Sequence, residues 1–426
     1  MKLLFHESFP QNALEMPQTT APTARDVRLI LIGASLLLTL ALGIRQSFGL
    51  FLTPVTRDLA ITASDFTLAL AIQNIVWGFS QAIVGAIGDR FGLRITMMAG
   101  AAFYAAGLGA MAAAQGTLTL IIANALIGVA LSCTATSLTM SAVVRAVSAE
   151  RRSVTLGIVS AAGSLGTLIG PLTTQSILAY QPWQVAVVIF ALTSVAMLPA
   201  AFLAGRADRI PPLATETASM RQVLSQAMRS RQFLVMSTAY FVCGLNLVFL
   251  TTHLPSYLAI CGQDPMLSAA ALAIIGGVIS IGSLVTGWLG GKYPKHVLLG
   301  LLYILRSAMV AVYFMITPTP TNTLLFAVVM GLLWWPGLVP LVSGLVADIL
   351  GTRYLATLLG ISFVVHQVGS SLGAWGGGVI FDLYGSYDRA WQIGTLIGCA
   401  AGILQIVAGG PTRRRDRMRE PVLAAT

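Results

Sequence analysis

Four ionisable side chains stand deep inside long apolar runs of this 426-residue chain: Arg45, His253, Arg306 and His366. An ion at such depth in a bilayer costs at least ~2.5 kcal/mol on insertion scales, so each is a candidate for chemistry. All fifteen Asp and Glu residues fall instead in tails, in polar turns or at the ends of the runs. A site for a cation needs a carboxylate at depth, and the runs offer none. A site for an anion needs the reverse, and the planar donor fork of an arginine fits a carboxylate with two parallel hydrogen bonds. Arg45 can serve in this way, or its long stem can carry the charge out to lipid head groups. Arg306 is expected to be satisfied by backbone carbonyls of the seventh or eighth run. His366 with the adjoining Gln367 supplies a donor, an acceptor and a titratable proton, the alternative being a hydrogen-bonded histidine that never titrates. His253 is a second candidate proton carrier. Gln73, Asn74, Asn246, Ser280 and Ser283 are uncharged candidates, each able to contact cargo or to make an ordinary interhelical hydrogen bond. Trp334 and Trp335 put two rings at mid-run beside Pro336 and Gly337, which should bend the helix. Adjacent helical residues point about 100° apart, so one ring can wall a cargo site while the other faces elsewhere.

The elements that position these residues follow from composition. The chain is 56% hydrophobic and 9% charged, with a mean hydropathy of +0.83. Soluble domains carry about a quarter charged residues, so soluble and disordered readings are excluded. Twelve apolar stretches are long enough to cross a bilayer, for which about 20 helical residues suffice: 28–52, 64–88, 95–114, 118–144, 153–180, 183–204, 233–260, 267–291, 297–317, 323–348, 354–381 and 390–408. Period-two alternation is absent, which leaves helices rather than a barrel. Residues 1–27 hold Pro10, Pro17 and Pro22 and no apolar core, as expected of a tail rather than a signal peptide.

Of the 25 Lys and Arg residues, Arg57 and Arg389 lie on one face of this plan, Arg45 and Arg306 lie inside spans, and the other 21 lie on the opposite face. Basic segments stay cytoplasmic, so both termini of this multi-pass protein of the cell membrane are expected inside. The net charge of +10 is thereby accounted for without nucleic acid, and the basic tail 410–426 is expected to touch anionic lipid. Cys133, Cys243, Cys261 and Cys399 read as packing residues. No phosphate-binding Gly-x-x-x-x-Gly-Lys-Ser/Thr, no Gly-x-Ser-x-Gly and no His-Glu-x-x-His occurs. Neither a cofactor, a metal nor an enzymatic activity is therefore expected.

The polar stretch 205–232 divides the spans six and six, into halves 28–204 and 233–409. The turn Gly85-Ala-Ile-Gly-Asp89-Arg90-Phe-Gly92-Leu-Arg94 has its echo in Gly287-Trp-Leu-Gly-Gly291-Lys292-Tyr-Pro294-Lys-His296, 202 residues later. The second half has Gly291 in place of Asp89, so an ion pair at this turn is expected in the first half only.

Gly85, Asp89, Arg90, Gly92 and Arg94 resemble the mark of the major facilitator superfamily, Gly-x-x-x-Asp-Arg-x-Gly-x-Arg-Arg, with Ile95 at its last basic position. Arg45-Gln-Ser-Phe-Gly-Leu-Phe-Leu, Gly163-Ser-Leu-Gly-Thr-Leu-Ile-Gly-Pro171 and Phe381-Asp-Leu-Tyr-Gly-Ser-Tyr387 are similar to bacterial monocarboxylate and oxalate/formate carriers. The basic residue those carriers have in the eighth span is absent, and Asn124 stands where they tend to have arginine. The resemblance implies an all-α polytopic membrane protein of twelve transmembrane helices in two pseudo-symmetric halves. In such proteins spans one, four, seven and ten line the pathway with help from two, five, eight and eleven. Arg45, His366 and Gln367 would then face the pathway and Arg306 would not. Asp89 would close the cytoplasmic side by pairing with Arg145 and by meeting the start of the eleventh span near Tyr354. The function implied is secondary transport of a small organic anion, a monocarboxylate, by alternating access, with proton symport or exchange, by a single chain. Export of hydrophobic drugs or metabolites, and a transport-inactive membrane sensor, are the alternatives.

Overall fold

The computed structural model describes residues 23–210, 225, 227–333, 335–350 and 355–410, without the side chains at 149, 150, 152, 153, 283, 335–340, 347, 355 and 356. Trp334 and Tyr354, most of the central loop and most of both tails lie outside the described residues. So do the side chains of Trp335 and Ser283.

Eleven helices are long and apolar enough to cross a membrane, and no strand occurs among the described residues. The first half is built from Ala24–Leu59, Ala63–Phe91, Leu93–Ala112, Thr117–Ala146, Ala149–Leu178 and Trp183–Arg209. The second has Arg231–Ile260, Pro265–Gly290, Lys295–Met315, Leu355–Tyr384 and Asp388–Ala408 as its seventh, eighth, ninth, eleventh and twelfth spans. The tenth is two shorter helices, Pro320–Leu332 and Trp335–Leu350. It still traverses the bundle. Thr323 near its start bonds Tyr313 at the end of the ninth span, at 2.8 Å, whereas Asp348 near its finish pairs with Lys295 at the start of the ninth. Pro336 falls in the first turn of the second of these helices, where its missing N–H leaves no bond unmade.

Caps fix the other ends. Thr62 and Asp65 form a reciprocal capping box at the second span, and Asp264 caps the eighth with Pro265 behind it. The apolar surface is divided accordingly. Tyr104, Leu108 and Ile127 belong to a core within the first half, while Leu118, Leu284 and Val407 lie more than two-thirds exposed on the outside, where hydrocarbon is their natural solvent.

Asp89, Asp208 and Asp348 mark one end of the bundle and Asp58 and Asp382 the other. Every hydrogen bond between the halves among the described residues lies between mid-bundle and the Asp382 end. Asp382 accepts from the backbone N–H groups of Ala63 and Ser64 at 3.1 and 2.8 Å, Thr53 meets Ser256 at 3.2 Å, Ser371 donates to the Ala71 carbonyl at 2.9 Å, and Gln46 donates to the Leu272 carbonyl at 3.4 Å. Glycine permits this approach: a Cβ at Gly49 would strike the Thr251 carbonyl, and one at Gly378 would strike Thr67. A Cβ at Gly85, Gly157 or Gly360 would meet no atom within 4 Å. Among the described residues, then, the hydrogen bonds that join the halves gather toward the Asp382 end.

Candidate functional site

Arg45 emerges one turn below the point where the first span tightens into the short 3₁₀ stretch Phe48–Phe51. Its Nη2 donates to Asn74 Oδ1 on the second span at 3.0 Å, and Asn74 in turn donates to the Leu70 carbonyl at 2.9 Å, which fixes the amide's orientation. Tyr104 packs behind the same stretch, its hydroxyl donating to the Ala41 carbonyl at 3.0 Å. Arg45 itself is half-buried, and its Nε has no protein partner among the described residues. No carboxylate pairs with it: the three ion pairs among the described residues join Arg145 to Asp89, Arg206 to Asp26 and Lys295 to Asp348. Gln73, fully buried, leaves both amide atoms without a partner. A guanidinium held by a neutral amide, with a donor to spare, can pair with an anion.

The remaining candidates do not all gather there. Gln367 packs its Cβ against Gly78, at the seam between the second and eleventh spans. His366 points instead toward the seventh span, its ring 4.6 Å from that of Tyr240 and its Nδ1 within 3.4 Å of both Gln367 Oε1 and Ser370 Oγ. His253 is fully buried with both ring nitrogens engaged: Nε2 lies 2.8 Å from the Ala374 carbonyl and Nδ1 3.2 Å from the Tyr387 hydroxyl. A carbonyl can only accept, so Nε2 carries the proton and Nδ1 takes the tyrosine hydrogen, a pairing complete in the neutral form. Asn246 donates to the Gly394 carbonyl at 3.1 Å, within the second half and away from Arg45.

Arg306 departs from expectation. It is 3% exposed, but its polar partner is the Cys243 thiol, 3.4 Å from Nη1, with the Tyr303 ring 5.1 Å away, rather than a backbone carbonyl.

At the Asp89 end, Asp89 and Arg145 pair at 2.7 Å, both within the first half. Gly92 carries the turn at φ 98°, and Asp208 accepts from the N–H groups of Leu93 and Arg94 at 2.7 and 2.9 Å. Arg90 and Arg94 lie over the rings of Phe91 and Phe202. The second half does have an ion pair, contrary to the reading of Gly291: Lys295 and Asp348 lie 2.7 Å apart. It joins the same two places, the turn after the second span of the half and the end of its fourth, with the charges exchanged. The 202-residue offset could have found it, because Arg145 maps beside Asp348.

These features match known proteins. Residues 34–374 match the model of the Major Facilitator Superfamily. The chain is 26% identical over 356 residues to the uncharacterized MFS-type transporter YcxA of Bacillus subtilis (strain 168), covering 80% of this chain and 85% of that one. It is 23% identical over 384 residues to monocarboxylate transporter 13 of Bos taurus, covering 88% of each, and equally identical to that of Rattus norvegicus. With eleven helices long and apolar enough to cross a membrane and a family match over residues 34–374, the chain is a multi-pass membrane transporter belonging to the major facilitator superfamily.

Proposed function

We propose that the protein carries a small organic anion, a monocarboxylate, by alternating access. The observation that carries this reading is Arg45: a positive charge inside a membrane half that has no carboxylate beside it, bound to a neutral Asn74 and retaining a free Nε. A buried unpaired ion is costly, and an incoming carboxylate removes the cost by supplying the missing charge. The names of two relatives point to the same cargo class. Rocking of the halves is supported by the hydrogen bonds that join them toward the Asp382 end. The excess of Lys and Arg on the Asp89 side supports a cytoplasmic placement of that end, in the plasma membrane. Coupling to protons runs through His366 or through the cargo's own carboxyl group, and Asp89, Arg145 and the Gly85–Arg94 turn serve the inner gate.

The test is uptake by proteoliposomes containing the purified chain, offered radiolabelled monocarboxylates in one arm and lipophilic cations in another. Saturable uptake of an acid supports the reading. Uptake of the cations alone would replace it with export of hydrophobic compounds.

A further inference from the structure

A second guanidinium lies in the other half of the molecule, in a pocket of its own. The pocket lies among the seventh, ninth, tenth and twelfth spans. Arg306, Ser307, Trp391 and Asn246 supply its polar lining. Arg306 Nε and Nη2, Ser307 Oγ and Trp391 Nε1 are all buried with no protein partner among the described residues, and each of these three residues is 3% exposed. Asn246 has spent its Nδ2 on the Gly394 carbonyl.

Native interiors rarely leave one such donor unmade, and this pocket gathers four. Arg306 Nη1 is occupied by the Cys243 thiol, which leaves free the edge formed by Nε and Nη2. That edge is the one that meets the two oxygens of a carboxylate side by side. A hydroxyl and an indole N–H complete a set of donors with no carboxylate among them. Leu250, Val310 and Met330 form the rest of the wall and suit a short apolar chain. The repeat places this site in register with the first: Arg306 lies 202 residues after Tyr104, the residue packed behind Arg45, and Asn246 lies 201 after Arg45. Each half thus holds one guanidinium at this level, on the first span of one half and on the third of the other.

We propose that this pocket is a second carboxylate site, built wholly from the second half, in which Arg306, Ser307 and Trp391 hold the carboxylate of a short-chain acid and Leu250, Val310 and Met330 hold its chain. It is separate from Arg45, and its occupancy does not depend on closure of the halves.

The test uses the purified full chain and a bromine-substituted butyrate, whose heavy atom quenches tryptophan fluorescence at contact. Saturable quenching is expected in the parent and in Arg45→Ala. Trp391→Phe should remove it, which assigns the signal. Arg306→Gln should weaken the probe at least tenfold, Arg306→Lys should weaken it because a point charge lacks the paired edge, and Ser307→Ala should weaken it several-fold should Arg306→Gln fail to fold. Unsubstituted butyrate should compete. No saturable quenching in the parent, or quenching unchanged by both Arg306→Gln and Ser307→Ala, overturns the proposal. So does its loss in Arg45→Ala, which would assign the signal to the other guanidinium. The reading of Arg45 is judged separately, by uptake, and either can fail alone.

Discussion

The carboxylate of Asp382, at the end of the eleventh span, accepts the backbone N–H of Ser64, at the start of the second, at 2.8 Å, with the N–H of Ala63 beside it at 3.1 Å. One acid thereby caps a helix of the opposite half. A negative charge at a helix N-terminus is worth about 0.3–1 kcal/mol, and the bonds to the orphan amides raise the loss on removal to about 1–2 kcal/mol. Asp382→Ala should therefore shift the population of states away from the one closed at this end by roughly tenfold. The shift is read as faster thiol labelling of a cysteine placed at Thr53 in a background lacking Cys261 and Cys399. Labelling as slow as in the parent would show that this cap does not hold the halves together.

The oxygens of Thr53 and Ser256 lie 3.2 Å apart across the same seam. Thr53→Cys with Ser256→Cys should form a disulfide under mild oxidation and stop transport, and a reductant should restore it. Full transport by the oxidised pair would mean that this seam never opens.

The two ion pairs at the Asp89 end are half exposed, Asp89 at 68% and Asp348 at 58% of their side chains, so each contributes only about 0–1 kcal/mol. Their expected effect is on the balance of states rather than on folding. Asp89→Arg should lower uptake with little change in melting temperature, and adding Arg145→Asp should recover part of the loss by remaking the pair. A double variant no better than the single would mean that the charges act separately.

His366→Gln should flatten the pH dependence of uphill uptake while sparing exchange of loaded carriers, because exchange does not require release of the proton. An unchanged pH profile would place the proton on the cargo itself.

The helical spans are legible in the sequence because length and apolarity fix them, and eleven of the helices are long and apolar enough to cross. From the sequence alone Pro336 reads as a bend, since a proline near a helix start and one inside a helix look alike without knowing where the helix begins. Arg45 and Asn74 could each be named as candidates from depth, but their bond joins residues 29 apart and depends on helix rotation. Asp382 reaches Ala63 across 319 residues, and nothing in either local sequence announces it. Lys295 and Asp348 are legible from the repeat only when the two charges are allowed to exchange places.

The central claim is that Arg45 holds the cargo anion, and the most direct measurement is counterflow of a radiolabelled monocarboxylate in proteoliposomes bearing the parent, Arg45→Lys or Arg45→Ala at equal protein density. Losing a charged hydrogen bond costs about 1.5–3 kcal/mol, so Arg45→Ala should reduce apparent affinity roughly ten- to a hundredfold. Arg45→Lys should fall between, because a point charge cannot supply two parallel bonds. Parental counterflow with unchanged affinity in Arg45→Ala would contradict the account and leave the side chain as one that merely carries its charge toward the head groups.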